Sequence, residues 1–188
     1  MTLELARHPS PIRDMTLAFH NGTLCALAFS DRWAAAERAL ARRFATPARA
    51  TADARAVTRL LDAYFAGECG ALDAIAVETG GSAFQQAVWA ALRRIPVGST
   101  TSYGELARAI GAPTAVRAVG AANGANPISL IVPCHRVIGA DGRLVGYGGG
   151  LDRKRWLLAH EGALARQPVL AFGGTLDRER AAIASPGE

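Results

Sequence analysis

The sequence predicts an α+β protein, in which a small N-terminal unit of strands and helices precedes a mostly helical C-terminal part. Three observations lead to this prediction: an Asn-Gly hairpin signal near the start, a series of amphipathic segments with helix-start signals, and a composition that is 50% hydrophobic. A chain of 188 residues with that composition can bury a sizeable core. We expect a structural domain over residues 1–79, a second domain over 80–165 and a tail over 166–188.

The N-terminal unit begins with a predicted hairpin over residues 15–30, where two apolar runs flank Asn21-Gly22. A helix is predicted next in DRWAAAERALARRF, with core contacts from Trp33, Leu40 and Phe44. Residues 45–51 are rich in Thr, Pro and Ala and are predicted to form a loop. A second helix, ADARAVTRLLDAYFAG, stops at Gly67, and its apolar face comprises Val57, Leu60, Leu61, Tyr64 and Phe65.

The C-terminal part is predicted to begin at Gly80-Gly81, which we interpret as a flexible joint. Ser82 and Gln85 match a capping box at the start of the next helix. That helix must stop before Pro96, because proline lacks the amide hydrogen and its ring clashes with the preceding turn. Its predicted core contacts are Phe84, Val88, Trp89 and Leu92.

Two short helices then give a helix-turn-helix outline. A capping box from Ser102 to Glu105 opens the first, Gly111 closes it, and TAVRAVGAANGAN forms the second after a turn of three or four residues. An αα-corner in an enzyme has the same outline, so this pattern leaves DNA binding open. The second helix is nearly free of bulky side chains, with Ala118, Gly120, Ala121, Ala122, Gly124 and Ala125 along it. Close helix packing and entry into a narrow minor groove would both favour such small residues.

Composition narrows the function classes. The net charge of +5 and the pI of about 9.7 favour a polyanionic partner, although coding bias in a G+C-rich genome would also explain an arginine-rich chain. Three separate cysteines and four scattered histidines predict neither a disulfide framework nor a metal site. No apolar run approaches the roughly 20 residues of a membrane span, and the N-terminus lacks a signal-peptide pattern. We therefore expect a soluble cytoplasmic protein.

The segment LIVPCHRVIG, residues 130–139, carries the candidate chemistry. We expect it to be a buried strand or extended segment, with Pro133 favouring extended geometry before it. A reactive cysteine needs a nearby base, and His135 could serve Cys134 if a carboxylate orients its ring. Successive side chains of a strand point to opposite faces, so the chain would have to leave strand geometry at Cys134, as in a helical turn. A buried cysteine that acts only as a small hydrophobe stays the alternative.

Together these residues resemble the O6-alkylguanine-DNA alkyltransferases, also called methylated-DNA–protein-cysteine methyltransferases. The signature is Val132-Pro133-Cys134-His135-Arg136-Val137-Ile138, and SYGELARAIG, GYGGGLDRK and WLLAHEG match the family in the same order. The resemblance in sequence covers residues 84–162. In the residues before 84, only the predicted arrangement of strands and helices is similar to the family. It is closest to the stand-alone bacterial type. It implies a ribonuclease-H-like N-terminal domain followed by a winged helix-turn-helix-like alkyltransferase domain.

The resemblance implies a suicide repair reaction that moves the alkyl group of O6-alkylguanine irreversibly to a cysteine. Cys134 would accept the group, His135 would act as its base through a bridging water, and Glu161 would orient His135. Tyr103 would hydrogen-bond guanine N3, supply a proton as guanine leaves and crowd the target phosphate. Arg117 would enter the duplex in place of the flipped base. No cofactor and no metal are expected.

The remaining roles implied by the resemblance concern DNA contact and the substrate pocket. The second helix of the helix-turn-helix would contact the minor groove through Ala118, Ala121, Ala122 and Gly124. Asn126 would connect that helix to the reactive segment. The carbonyls of Cys134 and Val137 would bind the exocyclic amine of guanine, Tyr147 would line the alkyl pocket, and amides of Tyr147, Gly148 and Gly149 would donate towards O6. Arg136 would be structural, pairing with a carboxylate or carbonyls across the interdomain joint.

The expected partner is double-stranded DNA carrying O6-alkylguanine, bound by a monomer. Cooperative assembly on DNA, repair of O4-alkylthymine and the range of alkyl groups stay open. Three other functions are alternatives for this sequence: a non-catalytic lesion sensor, a multiple-turnover thiol hydrolase and a regulatory DNA-binding protein. Retention of Cys134, His135 and Glu161 together argues against the sensor and the regulator. A hydrolase would have to release its product to water, for which a thioether offers no route.

Overall fold

The computed structural model describes residues 3–44, 49–50 and 53–164, and it has a mixed α/β fold. Its larger sheet has the strand order β3-β2-β1-β4. The strands are β1 (Leu3–His8), β2 (Met15–His20), β3 (Thr23–Phe29) and β4 (Arg49–Ala50). Strand β2 is antiparallel to β1 and β3, whereas β4 is parallel to β1. The predicted tail, residues 166–188, lies outside the described residues.

The predicted hairpin is confirmed, because β2 and β3 flank a two-residue turn. Asn21 has φ 48° and Gly22 has φ 82°, and two successive positive values define the turn type that matches strand twist. Strand β1 was not predicted, and the predicted loop over 45–51 is wrong at Arg49–Ala50, which pairs with β1. Residues 45–48 and 51 lie outside the described part. Arg49 and Ala50 pair with Glu4 and Leu5, which are distant in sequence, so no local pattern marks β4.

Six α-helices are present among the described residues. They are α1 (Trp33–Arg43), α2 (Arg55–Phe65), α3 (Ala83–Leu92), α4 (Tyr103–Ala109), α5 (Val116–Gly124) and α6 (Leu151–His160). Two short strands, β5 (Thr101–Ser102) and β6 (Val137–Ile138), pair in parallel. Both predicted capping boxes are confirmed: Ser82 with Gln85 opens α3, and Ser102 with Glu105 opens α4. The connection between α4 and α5 spans 110–115 and is longer than predicted.

One continuous hydrophobic core joins the sheet to the C-terminal helices. It includes Leu17 and Leu27 of the sheet, Leu61 of α2, Leu92 of α3 and Leu157 of α6. The outer edge of β3 is also occupied, since short bridges pair Leu24 with Val77 and Leu27 with Ile128. The amide of Leu27 donates to the Pro127 carbonyl at 3.0 Å, and the amide of Ser129 donates back to Leu27 at 2.9 Å. The segment before Cys134 is therefore attached directly to the sheet.

The glycine pair ahead of α3 contacts large side chains. Gly80 and Gly81 have φ values of 61° and 81°, which favour glycine. A Cβ at Gly80 would lie 2.6 Å from the Arg43 guanidinium, and one at Gly81 would lie 2.6 Å from the Trp89 ring. Close packing and backbone geometry thus explain both glycines, whereas the sequence suggested a joint. The domain boundary itself stays a prediction.

Candidate active site

The reactive segment is a series of turns. The predicted strand over LIVPC is wrong: Leu130 has φ 68°, and the amide of Val132 donates to the Ile128 carbonyl at 3.0 Å. After Pro133, residues Cys134–Arg136 form one turn of 3₁₀ helix that leads into β6. The expected departure from strand geometry at Cys134 is therefore confirmed. A helical turn removes the objection that Cys134 and His135 would face opposite sides of a strand.

The Cys134 side chain is buried and hydrogen-bonded by Asn126. The amide Nδ2 of Asn126 donates to the Val132 carbonyl at 2.7 Å and to Cys134 Sγ at 3.1 Å, while its Oδ1 accepts from the Ile128 amide at 3.0 Å. Asn126 thus links the end of α5 to the reactive turn. Burial raises the pKa of the Cys134 thiol, although the Asn126 hydrogen bond and the charge of Lys154 oppose this effect. The resting group is accordingly a thiol, which needs a base before it can attack.

Glu161, at the C-terminal end of α6, is a buried hydrogen-bond acceptor for three side chains. Its Oε1 accepts from His135 Nε2 at 3.0 Å, Tyr64 Oη at 2.9 Å and Arg136 Nη2 at 3.0 Å. Its Oε2 accepts from Arg136 Nε at 2.8 Å. Burial opposes ionisation of Glu161, but the hydrogen bonds from His135 and Arg136 together outweigh it and lower the pKa to about 2. Glu161 is therefore a carboxylate that only accepts.

This arrangement determines the tautomer of His135. Because the ionised Glu161 has no proton to donate, His135 Nε2 must carry one, and Nδ1 of the neutral ring is free to accept. Burial lowers the pKa of His135, while the hydrogen bond to Glu161 and its negative charge act in the opposite direction. Nδ1 is buried and has no hydrogen-bond partner in the described part of the chain. The ring is thus a neutral imidazole with one unused basic nitrogen.

The predicted substrate-pocket residues lie around this turn. Tyr103 is the first residue of α4, and its hydroxyl lies 3.5 Å from the Gly146 carbonyl. The rings of Tyr147 and His135 are 6.3 Å apart, and the buried Tyr147 hydroxyl has no hydrogen-bond partner among the described residues. Gly148 is exposed, whereas Gly149 is buried, and a Cβ at Gly149 would lie 2.5 Å from the Tyr147 ring. Of the two glycines, only Gly149 is therefore required by packing.

The two carbonyls predicted to bind guanine both accept internal hydrogen bonds. The Cys134 carbonyl accepts from the Val137 amide, and the Val137 carbonyl accepts from Lys154 Nζ at 2.6 Å. A carbonyl oxygen has two lone pairs, so one such bond does not by itself prevent a second. Lys154 also donates to Val145 at 2.6 Å and to Gly146 at 3.4 Å, and burial lowers its pKa to about 8. Lys154 thus joins β6 to the loop before the glycines.

Sequence reasoning missed three residues that shape this site. Lys154 carried a signal, because it is the only lysine in an arginine-rich chain. Arg153 anchors the glycine loop to the N-terminal part through Gly149 O at 3.0 Å, Ile12 O at 3.1 Å and Asp31 Oδ2 at 2.8 Å. Tyr64 was predicted only as a core residue, and nothing in its local sequence pairs it with Glu161.

Arg136 pairs with a carboxylate and a carbonyl, as predicted, but neither partner lies across the predicted interdomain joint. It binds the Glu161 carboxylate and, through Nη1, the Ile95 carbonyl at 2.6 Å. Both partners belong to the C-terminal part, so Arg136 does not bridge the predicted domains. The Arg136 side chain is nearly buried, which makes its pairing with Glu161 a shielded ion pair.

The outer face of α5 matches most of the residues predicted to contact DNA. Arg117, Ala118, Ala121 and Gly124 are exposed. The prediction that Ala122 contacts DNA is wrong. Ala122 is 3% exposed and faces the core, and its carbonyl accepts from Trp89 Nε1 at 2.8 Å. Helical periodicity turns Val119, Ala122 and Asn123 inward together. Ala122 therefore packs α5 against α3 and is not available to DNA.

The described ranges contain neither a metal-binding cluster nor a membrane-spanning helix. In residues 3–44, 49–50 and 53–164, no group of three histidine, cysteine or acidic side chains is arranged to hold a metal ion. Within the same ranges, no helix has the length and apolar character needed to cross a bilayer.

Comparison with known proteins identifies relatives of this chain. Residues 83–163 match the family model described as 6-O-methylguanine DNA methyltransferase, DNA binding domain. A methylated-DNA–protein-cysteine methyltransferase of Mycobacterium tuberculosis is 48% identical over 168 residues, which cover 87% of this chain and 94% of that protein. The Salmonella typhimurium protein of the same name is 60% identical over 101 residues, but these cover 54% of this chain and only 59% of that relative.

Solved structures give the same assignment. The crystal structure of Mycobacterium tuberculosis OGT in complex with DNA aligns with a TM-score of 0.73 and 44% identity, covering 87% of this chain and 94% of that one. An O6-methylguanine-DNA methyltransferase from Pyrococcus kodakaraensis aligns with a TM-score of 0.67 and 26% identity, over 86% and 99% of the two chains. The mixed α/β fold is thus shared with solved methyltransferase structures. This chain belongs to the methylated-DNA–protein-cysteine methyltransferase family.

Proposed function

We propose that this chain repairs DNA by transferring the alkyl group of O6-alkylguanine to Sγ of its own Cys134, once per molecule. The observation that carries the proposal is the state of His135. Its Nε2 donates to the Glu161 carboxylate, and its Nδ1 is an unused, buried base on the residue that follows the buried Cys134. Family membership indicates the class of reaction. The substrate is part of this proposal, because the match covers only 59% of the Salmonella relative.

The proposed reaction balances without a cofactor. His135 removes the Cys134 proton through a bridging water, and Glu161 stabilises the imidazolium that forms. The thiolate attacks the alkyl carbon, so that an S–C bond forms while the C–O6 bond breaks and its electron pair stays on guanine. Tyr103 protonates guanine N3 as it leaves and regains a proton from solvent, while His135 releases the Cys134 proton to solvent. Guanine then exchanges the N3 proton for its usual N1 proton. The products are unmodified guanine and an S-alkylcysteine, and the thioether offers no leaving group for hydrolysis.

Burial of the thiol requires the target base to leave the helix stack. Cys134 is 5% exposed, so a base stacked in a duplex cannot bring its O6-alkyl carbon to Sγ. We infer that the exposed small residues of α5 enter the minor groove and that Arg117 occupies the space left by the flipped base. The net charge of +5 favours such a polyanionic partner. A monomer acting in the cytoplasm, where thiols stay reduced, is part of the proposal.

The test is a mass measurement on the Cys134 peptide. After incubation with an equimolar duplex containing O6-methylguanine, we expect that peptide to gain one methyl group. Cys134→Ala should still bind the duplex and gain nothing, whereas Cys69→Ser, which removes a more exposed thiol, should leave transfer unchanged. An unmodified Cys134 peptide in the wild-type protein would refute the proposal. More product than protein would instead indicate a hydrolase.

A further inference from the structure

The N-terminal part contributes one hydrogen bond directly to the catalytic carboxylate. Tyr64, in α2, is fully buried, and its Oη donates to Glu161 Oε1 at 2.9 Å across 97 positions of sequence. We propose that Tyr64 is a positioning residue for alkyl transfer, holding Glu161 in place and moderating how strongly that carboxylate raises the basicity of His135. This inference rests on the proposed function, because it assigns a role within the same relay.

The phenol can act only as a donor here. Glu161 is ionised over the physiological range, with a pKa of about 2, so it offers no proton to Tyr64. Burial and the negative charge of Glu161 raise the pKa of Tyr64 far above its usual range, so the phenol stays protonated. The result is a permanent O–H···O⁻ hydrogen bond, which belongs to the stronger, charge-assisted class.

Tyr64 shares its acceptor atom with His135. Oε1 receives donors from Tyr64, His135 and Arg136, whereas Oε2 receives only Arg136. Each donor stabilises the negative charge on the oxygen, so removing the phenol leaves more of that charge to act on His135. The imidazolium of His135 would then be better stabilised, and its pKa would rise.

His160, the last residue of α6, fixes the position of Tyr64. The Tyr64 carbonyl accepts from His160 Nε2 at 2.7 Å, and the two rings meet edge to face at 5.1 Å. His160 and Glu161 are consecutive, so they bind the backbone and the side chain of the same tyrosine. This double attachment places the hydroxyl relative to Glu161 and makes the relay depend on α2.

The experiment measures single-turnover methyl transfer against pH in wild type and in Tyr64→Phe, which removes only the hydroxyl. The lost hydrogen bond corresponds to about one pKa unit at Glu161, and part of this effect reaches His135 through the shared oxygen. We therefore expect the acidic limb of the pH–rate profile to move up by at most about one pH unit and the rate on that limb to fall by at most about tenfold. Trp156→Phe is the matched control, because Trp156 stacks on His160 at 4.7 Å and is not among the side chains that donate hydrogen bonds to Glu161 in the described part of the chain. Its acidic limb should match wild type.

Several outcomes would overturn the proposal. A folded Tyr64→Phe protein with an unshifted limb would do so, as would an equal shift in Trp156→Phe, which would indicate a purely structural role. If Tyr64→Phe does not fold, NMR of the wild type decides, since a slowly exchanging phenol proton near the His135 ring is required. The His135 ring nitrogens, titrated by NMR in both proteins, report the shift even if no methyl is transferred. Failure of the repair function is thereby distinguished from failure of the role of Tyr64.

Discussion

The surroundings of Glu161 and the outer face of α5 are built in opposite ways. Glu161 is buried, and four hydrogen bonds from three side chains reach its two oxygens. The outer face of α5 is exposed and, apart from Val116 and Arg117 in its first turn, presents small side chains such as Ala118 and Ala121. The proposed proton relay would need one fixed geometry, which a saturated buried network provides. The proposed DNA contact, which would serve any sequence, would need mainly close approach to the duplex.

The same contrast predicts different consequences of mutation. Removing one partner of a buried ion pair leaves an uncompensated charge and destabilises the fold strongly. Changing an exposed residue usually alters stability little, so its effect should appear in binding. Three predictions test this contrast, in order of decreasing effect.

Glu161→Gln should have the largest effect. The amide keeps the shape of the side chain, but it leaves the nearly buried Arg136 guanidinium without a counter-charge, which costs about 3–5 kcal/mol of unfolding free energy. Methyl transfer should fall to background, because His135 loses the carboxylate that stabilises its imidazolium. Chemical denaturation and the Cys134 mass shift measure the two effects. Asp141→Asn is the control, since that carboxylate forms an exposed pair with Arg143, and its loss should change neither.

The pH dependence of stability provides a second readout for Glu161→Gln. The folded pKa of Glu161, about 2, lies below its usual value of 4.5, so the unfolded chain binds the proton more tightly. Its stabilising contribution is complete above about pH 4.5 and is lost as the pH falls towards 2. The variant should lack this component of acid destabilisation. A denaturation series over that range with equal slopes in both proteins would contradict the burial and pairing of Glu161.

Substitutions at two consecutive alanines of α5, Ala121 and Ala122, should have smaller effects that differ in kind. Ala122→Leu should lower the unfolding free energy by about 1–3 kcal/mol, because the added carbons must enter a packed interface with α3. Ala121→Leu should leave thermal stability unchanged and weaken binding to duplex DNA, because the bulk is added to the exposed face. Thermal melts and DNA titrations of both variants measure this. Equal DNA affinity in Ala121→Leu and wild type would exclude this face of α5 as the contact.

The smallest effect is expected at Gly148. A Cβ at this exposed glycine would meet no atom within 4 Å, so Gly148→Ser should leave stability and methyl transfer unchanged. Gly149→Ala, one residue later, should impair transfer, because its Cβ would overlap the Tyr147 and Phe29 rings. Single-turnover rates of the two variants provide the comparison. A large loss in Gly148→Ser would indicate that this position contacts substrate through more than its backbone.

Local features were predicted well from the sequence. The Asn21-Gly22 turn and the capping boxes at Ser82 and Ser102 depend on residues within a few positions of one another. The turn at Cys134 could also be anticipated, because no strand could present both the thiol and its neighbouring imidazole to one site. These features follow from backbone sterics and short-range hydrogen bonds, which act on the chain before it folds.

Long-range contacts were decided only by the tertiary structure. The pairing of β1 with β4, the inward face of Ala122 and the bonds of Lys154 to three carbonyls have no signature in neighbouring residues. The convergence of Tyr64, His135 and Arg136 on Glu161 is of the same kind. The sequence determined which reactive groups are present, since thiol, imidazole and carboxylate are intrinsic to the side chains. Packing of distant segments determined their protonation states, because burial and hydrogen-bond partners exist only in the folded chain.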